Sequence, residues 1–245
     1  MRAAARIVAE REGHRSVLRV LKGEAPLLPR RTGPCGVHIV GGAAGPLGGD
    51  DLSLEIEVGP GAELWVRTVA ASIALPGRDG AQSRLAVHAT VAEGGFLAFL
   101  PEPIVAAARC RHHNAATVAL AAGATLAWRE EAVLGRHGEP GGDLRLSTSI
   151  VRNTRPWYRS DVAVGPSHPD GPAILHGARV LSTLITTADL TGVPERSDTW
   201  AAMPLARGGT VVQALGDEVE QTRKITANGI EDLVRSLQEQ RGDLR

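Results

Sequence analysis

Apolar and polar residues alternate in several segments in the middle of the chain, which is the period-two pattern of half-buried β-strands. Leu52–Val58 (LSLEIEV) alternates, and the turn signal Gly59-Pro60-Gly61-Ala62 follows. Glu63–Thr68 (ELWVRT) then alternates again. The same unit returns as Leu85–Val91, Glu93-Gly94-Gly95 and Phe96–Leu100, and again as Ala115–Leu120, Ala122-Gly123-Ala124 and Thr125–Trp128. Aligned on Gly61, Gly94 and Gly123, the units read VGPGAELWV, VAEGGFLAF and LAAGATLAW. The period of about 30 residues is typical of stacked repeat architectures. Each unit predicts a strand, a tight turn in which glycine takes a positive φ, and a second strand. One hairpin cannot bury its apolar face alone, but three stacked in succession share a core. Three ordinary hairpins in a β-sandwich are the alternative.

Further strands are expected at Val17–Leu21, Leu144–Val151 and within Ile174–Ile185, and loops at Gly41–Gly49 and Ser160–Pro172. Ile225–Arg241 reads as helical. Ile230, Leu233, Val234 and Leu237 fall on one face, and Asn228 with Glu231 suits a capping box. That helix, about 229–241, either covers the sheet or offers its apolar face to a partner. The expected fold is mainly β: antiparallel hairpin repeats at about 50–135, stacked in layered, β-helix-like sheets, with a C-terminal helix. Residues 1–245 are taken as one domain.

Composition narrows the function. Hydrophobic residues make up 43% of the chain but aromatics only 3%, so the core is filled by small aliphatics in thin layers. Lys+Arg and Asp+Glu number 27 each, which disfavours nucleic-acid binding and gives little colloidal repulsion. Two cysteines, Cys35 and Cys110, make no disulfide framework. No apolar stretch has the length of a signal core or a membrane span, so a cytoplasmic protein is expected.

Catalytic signatures are missing. Gly41–Asp50 lacks the Gly-Lys-Ser/Thr ending of a phosphate loop, and neither Gly-x-Ser-x-Gly nor His-Glu-x-x-His occurs. Two sets of residues carry potential metal chemistry. In Cys110-Arg111-His112-His113, a strand would point Cys110 and His112 to one face, where thiolate and imidazole suit nickel, zinc or copper. A metal-dependent hydrolase using this pair and nearby acids is the enzymatic alternative. The second set is the acids Asp50, Glu102, Glu130 and Glu139, at strand ends or turns. Stacked repeats would gather such acids along one edge or channel, where a hydrated divalent cation could pass. Ordinary turn, cap or ion-pair roles are the alternative for each acid, Arg136 with Glu139 above all.

Several segments taken together resemble the UreD (UreH) family of urease accessory proteins. These are Pro46-Leu47-Gly48-Gly49-Asp50, Val58-Gly59-Pro60-Gly61-Ala62, Arg67-Thr68-Val69-Ala70-Ala71, Leu100-Pro101-Glu102-Pro103, Leu134-Gly135-Arg136…Gly138-Glu139 and Val211–Gly216. They run in the family's order over about residues 25–240. The chain departs from the pattern at Ala43-Ala44-Gly45-Pro46, Leu75-Pro76-Gly77 and Gln213. The resemblance implies a non-catalytic scaffold that binds apo-urease and a UreF-type protein, which recruits a UreG-type GTPase. It implies nickel in transit through an internal tunnel, with no tightly bound cofactor. Carried over by position, Asp50, Glu102 and Glu130 are the route candidates, and Ile230–Leu237 is the UreF-type contact. A generic β-repeat binding module is the remaining alternative.

Overall fold

The computed structural model describes residues 1–168, 170–172, 174–190 and 197–227. Seventeen strands form within them: β1 (Arg2–Glu12), β2 (Arg15–Gly23), β3 (Leu27–Arg31), β4 (Gly36–Gly41), β5 (Asp51–Val58), β6 (Glu63–Thr68), β7 (Ser72–Ala74), β8 (Ser83–Val91), β9 (Phe96–Leu100), β10 (Ile104–Ala106), β11 (Arg111–Leu120), β12 (Thr125–Leu134), β13 (Asp143–Arg152), β14 (Arg155–Val164), β15 (Val180–Thr186), β16 (Trp200–Pro204) and β17 (Thr210–Gly216). They build a seven-stranded sheet, in the order β14-β13-β11-β8-β5-β1-β2, and a ten-stranded sheet, in the order β16-β17-β15-β12-β9-β6-β4-β3 with β7 and β10 branching beside β12.

The repeats stack as expected, but the pairing between successive repeats is parallel. β1, β5, β8, β11 and β13 are parallel neighbours in the first sheet. β4, β6, β9 and β12 are parallel neighbours in the second. Among the described residues, antiparallel pairs flank these parallel blocks, as with β13–β14 and β12–β15. Each glycine turn therefore joins strands of opposite sheets and makes a corner, not a hairpin. Alternation shows which face of a strand is buried but is silent about which strand lies beside it.

The corners stack as well. Gly61, Gly94 and Gly123 sit at φ of +63°, +64° and +66°, a region side chains rarely enter. The Gly61 amide donates to the Glu93 carbonyl at 2.9 Å, and the Gly94 amide to Ala122 at 3.3 Å. A regular period thus gives the corners the same ladder that the strands have.

The core follows from the register. Ile7, Ile56, Ala89, Val118 and Ile150 occupy neighbouring positions across the first sheet. Leu64, Leu97 and Leu126 do so across the second, beside the row Val66, Phe99 and Trp128. All belong to one buried cluster between the sheets. Each fully buried Leu or Ile contributes roughly 1.5–3 kcal/mol of transfer free energy.

Two boundaries differ from expectation, at Ser160 and at the C-terminal helix. The loop expected from Ser160 begins later, because Val162 and Val164 pack inward and β14 runs to Val164. The strand expected within Ile174–Ile185 is β15, starting at Val180. Helix is already present over 219–227, ahead of the predicted cap at Asn228. Asp217, Glu218 and Glu220 surround its first turn, where the helix dipole favours negative charge. The described part of the helix lies against the second sheet, with Ile225 packed on the Phe96–Leu184 cluster. No helix among the described residues is long and apolar enough to cross a membrane.

Candidate functional site

A cavity of about 600 Å³ opens between the two sheets. Leu54 and Val87 line it from the first sheet, and Phe99 and Trp128 from the second. Pro101 and Glu102, between β9 and β10, and residues 68–73, around the β6–β7 connection, also line it. Its wall is mostly aliphatic, so its few acids dominate the local field.

Glu130 is the acid inside. β12 alternates Trp128 and Glu130 inward with Arg129 and Glu131 outward. The Trp128 Nε1–H donates to Glu130 Oε1 at 3.2 Å, and the Thr148 hydroxyl on β13 donates to the same oxygen. Glu130 thereby ties the second sheet to the first. Burial pushes its carboxyl above the usual range, and the Thr148 and Trp128 hydrogen bonds partly offset this. A raised folded pKa means stability that is full below the unfolded value and lost as pH rises through the folded one. Glu130→Gln imitates the neutral acid. It should melt higher than the parent near neutrality and lose that advantage below about pH 4, where the parent acid is neutral in both states. Thermal melts across that range give the comparison.

On the outward side of β12, four charges form one network. The Glu131 side chain is fully buried. It accepts from Arg223 Nη2 at 2.7 Å and from the Ser182 hydroxyl at 3.1 Å. Arg129 Nε lies 3.5 Å from it, too poorly aimed for a hydrogen bond. Arg129 Nη2 instead donates to the Pro101 carbonyl at 3.0 Å. Desolvation lowers the Arg129 pKa, and the Glu131 charge opposes that shift. Arg223 also reaches Glu102 at 3.0 Å. Glu102, Glu130, Arg129 and Glu131 all border the cavity.

The remaining predicted residues lie elsewhere. Asp50 is buried, pairs with the Met1 amino group and accepts the Leu47 amide at 2.8 Å. Glu139 chelates the Arg136 guanidinium at 2.7 and 2.8 Å, which holds its pKa down at about 2. That local pair was the alternative reading from sequence. Cys110 is buried, and burial pushes its thiol up to about 11. His112 is buried with Nδ1 2.8 Å from the Ser83 hydroxyl and Nε2 2.8 Å from Asn114 Oδ1. Burial lowers its pKa to about 4, so it is neutral at physiological pH. In this conformation neither residue presents a free thiolate or imidazole lone pair. Among the described residues no three His, Cys, Asp or Glu side chains converge to hold a metal ion. Ile230, Leu233, Val234 and Leu237 lie outside the described residues.

Sequence reasoning missed Arg129 and Arg223. Arg129-Glu130-Glu131 interrupts a strand otherwise apolar on both faces, and that interruption was the available signal. Arg223 gave none.

Stacked parallel coils around a cavity, with acids spread along its wall and not gathered on one ion, define a β-solenoid scaffold. Comparison with known proteins supplies the family. The family model for the UreD urease accessory protein matches residues 1–242, and the chain belongs to that family. The urease accessory protein UreD of Parafrankia sp. (strain EAN1pec) is 40% identical, over 91% of this chain and 86% of the relative. That of Streptomyces avermitilis is 37% identical, over 95% and 98%. The protein named urease accessory protein UreD 3 in Streptomyces griseus subsp. griseus is 38% identical, over 97% and 98%. This is a family of assembly factors in urease maturation and not of catalysts, which sets aside the hydrolase alternative.

Proposed function

We propose that this protein is a cytoplasmic scaffold that links apo-urease to a UreF-type protein and, through it, to a UreG-type GTPase, and that nickel crosses it by way of the cavity. The cavity bordered by Glu130 and Glu102 carries this reading. A transferred ion has to be held weakly enough to leave. Carboxylates spaced along an aliphatic wall, with waters completing the shell, suit passage better than a closed thiolate–imidazole site. Glu102 and Glu130 border the cavity, whereas Asp50 and Glu139 do not line it. The route is therefore assigned to the first two.

The test is co-expression of a urease gene cluster with this chain, without it, or with Glu130→Lys. Urease should co-purify with both forms of the chain. Its nickel content should fall severalfold without the chain and with Glu130→Lys. Fully loaded urease in the absence of the chain would overturn the scaffold, and fully loaded urease with the variant would overturn the route alone.

A further inference from the structure

Glu130 uses only one of its two carboxylate oxygens. Oε1 accepts both the Trp128 Nε1–H and the Thr148 hydroxyl. Oε2 accepts no hydrogen bond among the described residues, yet it is not a sealed orphan atom. Glu130 keeps accessible surface although protein surrounds it, and it lines the cavity. No protein cation compensates this acid. Arg129 and Arg136 also border the cavity, but Glu131 and Glu139 engage them. The groups that act on the Glu130 carboxyl are its apolar surroundings, Thr148 and Trp128. Around it the wall is Leu54, Val87 and Leu146 from the first sheet and Ile104, Phe99 and Trp128 from the second. A volume of about 600 Å³ with a mostly apolar wall and one spare polar atom is the usual form of a small-molecule site.

We propose that the cavity binds a small organic cation, a tertiary alkylammonium, whose single N–H donates to Glu130 Oε2. The missing counter-charge selects a cation, because a carboxylate surrounded by apolar groups gains most from an opposite charge beside it. The count of free acceptors selects the kind of cation. A guanidinium fork engages both oxygens of a carboxylate, and Oε1 already holds two donors. A primary ammonium carries three N–H groups, and an aliphatic wall supplies few acceptors for the other two. A tertiary ammonium has one N–H for the one free oxygen. Its alkyl groups then lie against Leu54, Val87 and the stacked pair Phe99 and Trp128. This site goes beyond the scaffold role and does not rest on it, since the cavity and Glu130 suffice whether or not nickel crosses.

Isothermal titration calorimetry of the full chain at neutral pH tests this with N,N-dimethylhexylamine, hexanol and hexanoate. The three probes share a hexyl-sized apolar body and differ in charge. The amine should bind about tenfold or more tightly than hexanol, the worth of one hydrogen bond between charged groups. Hexanoate should bind more weakly than hexanol. Glu130→Gln keeps the shape of the side chain and removes its charge. The amine should then lose its tenfold advantage, while the affinity for hexanol stays within about twofold of the parent. Equal affinities of the parent for amine and hexanol would overturn the site. So would an amine preference that survives Glu130→Gln, or no binding of the amine up to millimolar concentration. Nickel content of urease is not read in this experiment, so the amine site and the nickel route fail separately.

Discussion

Glu131→Ala is expected to destabilise the fold by about 3–5 kcal/mol, the usual cost of removing one partner from a buried ion network. The carboxylate has no solvent exposure and takes hydrogen bonds from Arg223 and Ser182. Without it, Arg129 stays buried with Pro101 and Leu100 carbonyls as partners and no counter-charge beside it. Arg223 fares better because Glu102 remains within reach. The loss should therefore come mostly from Arg129, and a second substitution tests that assignment. Arg129→Leu added to Glu131→Leu replaces both buried charges with apolar volume and should recover much of the stability. Urea unfolding at neutral pH reads both, with the midpoint moving and the slope unchanged. A single-variant loss under about 1 kcal/mol would mean that water enters the network freely. A loss of 3–5 kcal/mol is a large fraction of the roughly 5–15 kcal/mol that stabilises a typical domain.

The fold was legible where one residue's chemistry decides its surroundings. Gly61, Gly94 and Gly123 marked the corners because only glycine takes their backbone angle without cost. The alternation in Leu52–Val58 and Leu85–Val91 marked the inward faces, and Ile56, Val58, Ala89 and Val91 do face the core. Parallel pairing was not legible, because it depends on where a strand some 30 residues away comes to rest. The membership of the site divides in the same way. Glu130 could be picked as an acid on a repeat strand, since β12 fixes its direction. Arg223 could not, because it reaches Glu102 and Glu131 from 121 and 92 residues further along the chain. The Cys110–His112 spacing did suggest a shared strand face. The burial that keeps His112 neutral and its Ser83 contact come from neighbouring coils, which local spacing does not report.

Trp128→Ala should be about as damaging as Glu131→Ala, at roughly 3–5 kcal/mol, for a different reason. The indole is fully buried and stacks on Phe99 with ring centroids 4.3 Å apart and planes 24° apart. It fills the space between the core rows and the cavity, so truncation joins a new void to an existing one. Volume and hydrogen bonding can be separated with Trp128→Phe, which keeps most of the ring and removes the N–H that Glu130 accepts. That bond favours the charged form of Glu130, so its loss should raise the Glu130 pKa further. A higher folded pKa leaves stability intact in acid and takes it away as pH rises. Trp128→Phe should thus cost more at neutral pH than near pH 4, whereas the packing part of the Trp128→Ala loss should persist at both. Denaturant midpoints for both variants at the two pH values decide the matter. A Trp128→Phe loss that does not change with pH would show that Glu130 does not depend on the indole N–H. An acid held only by Thr148 would then be the one facing the cavity.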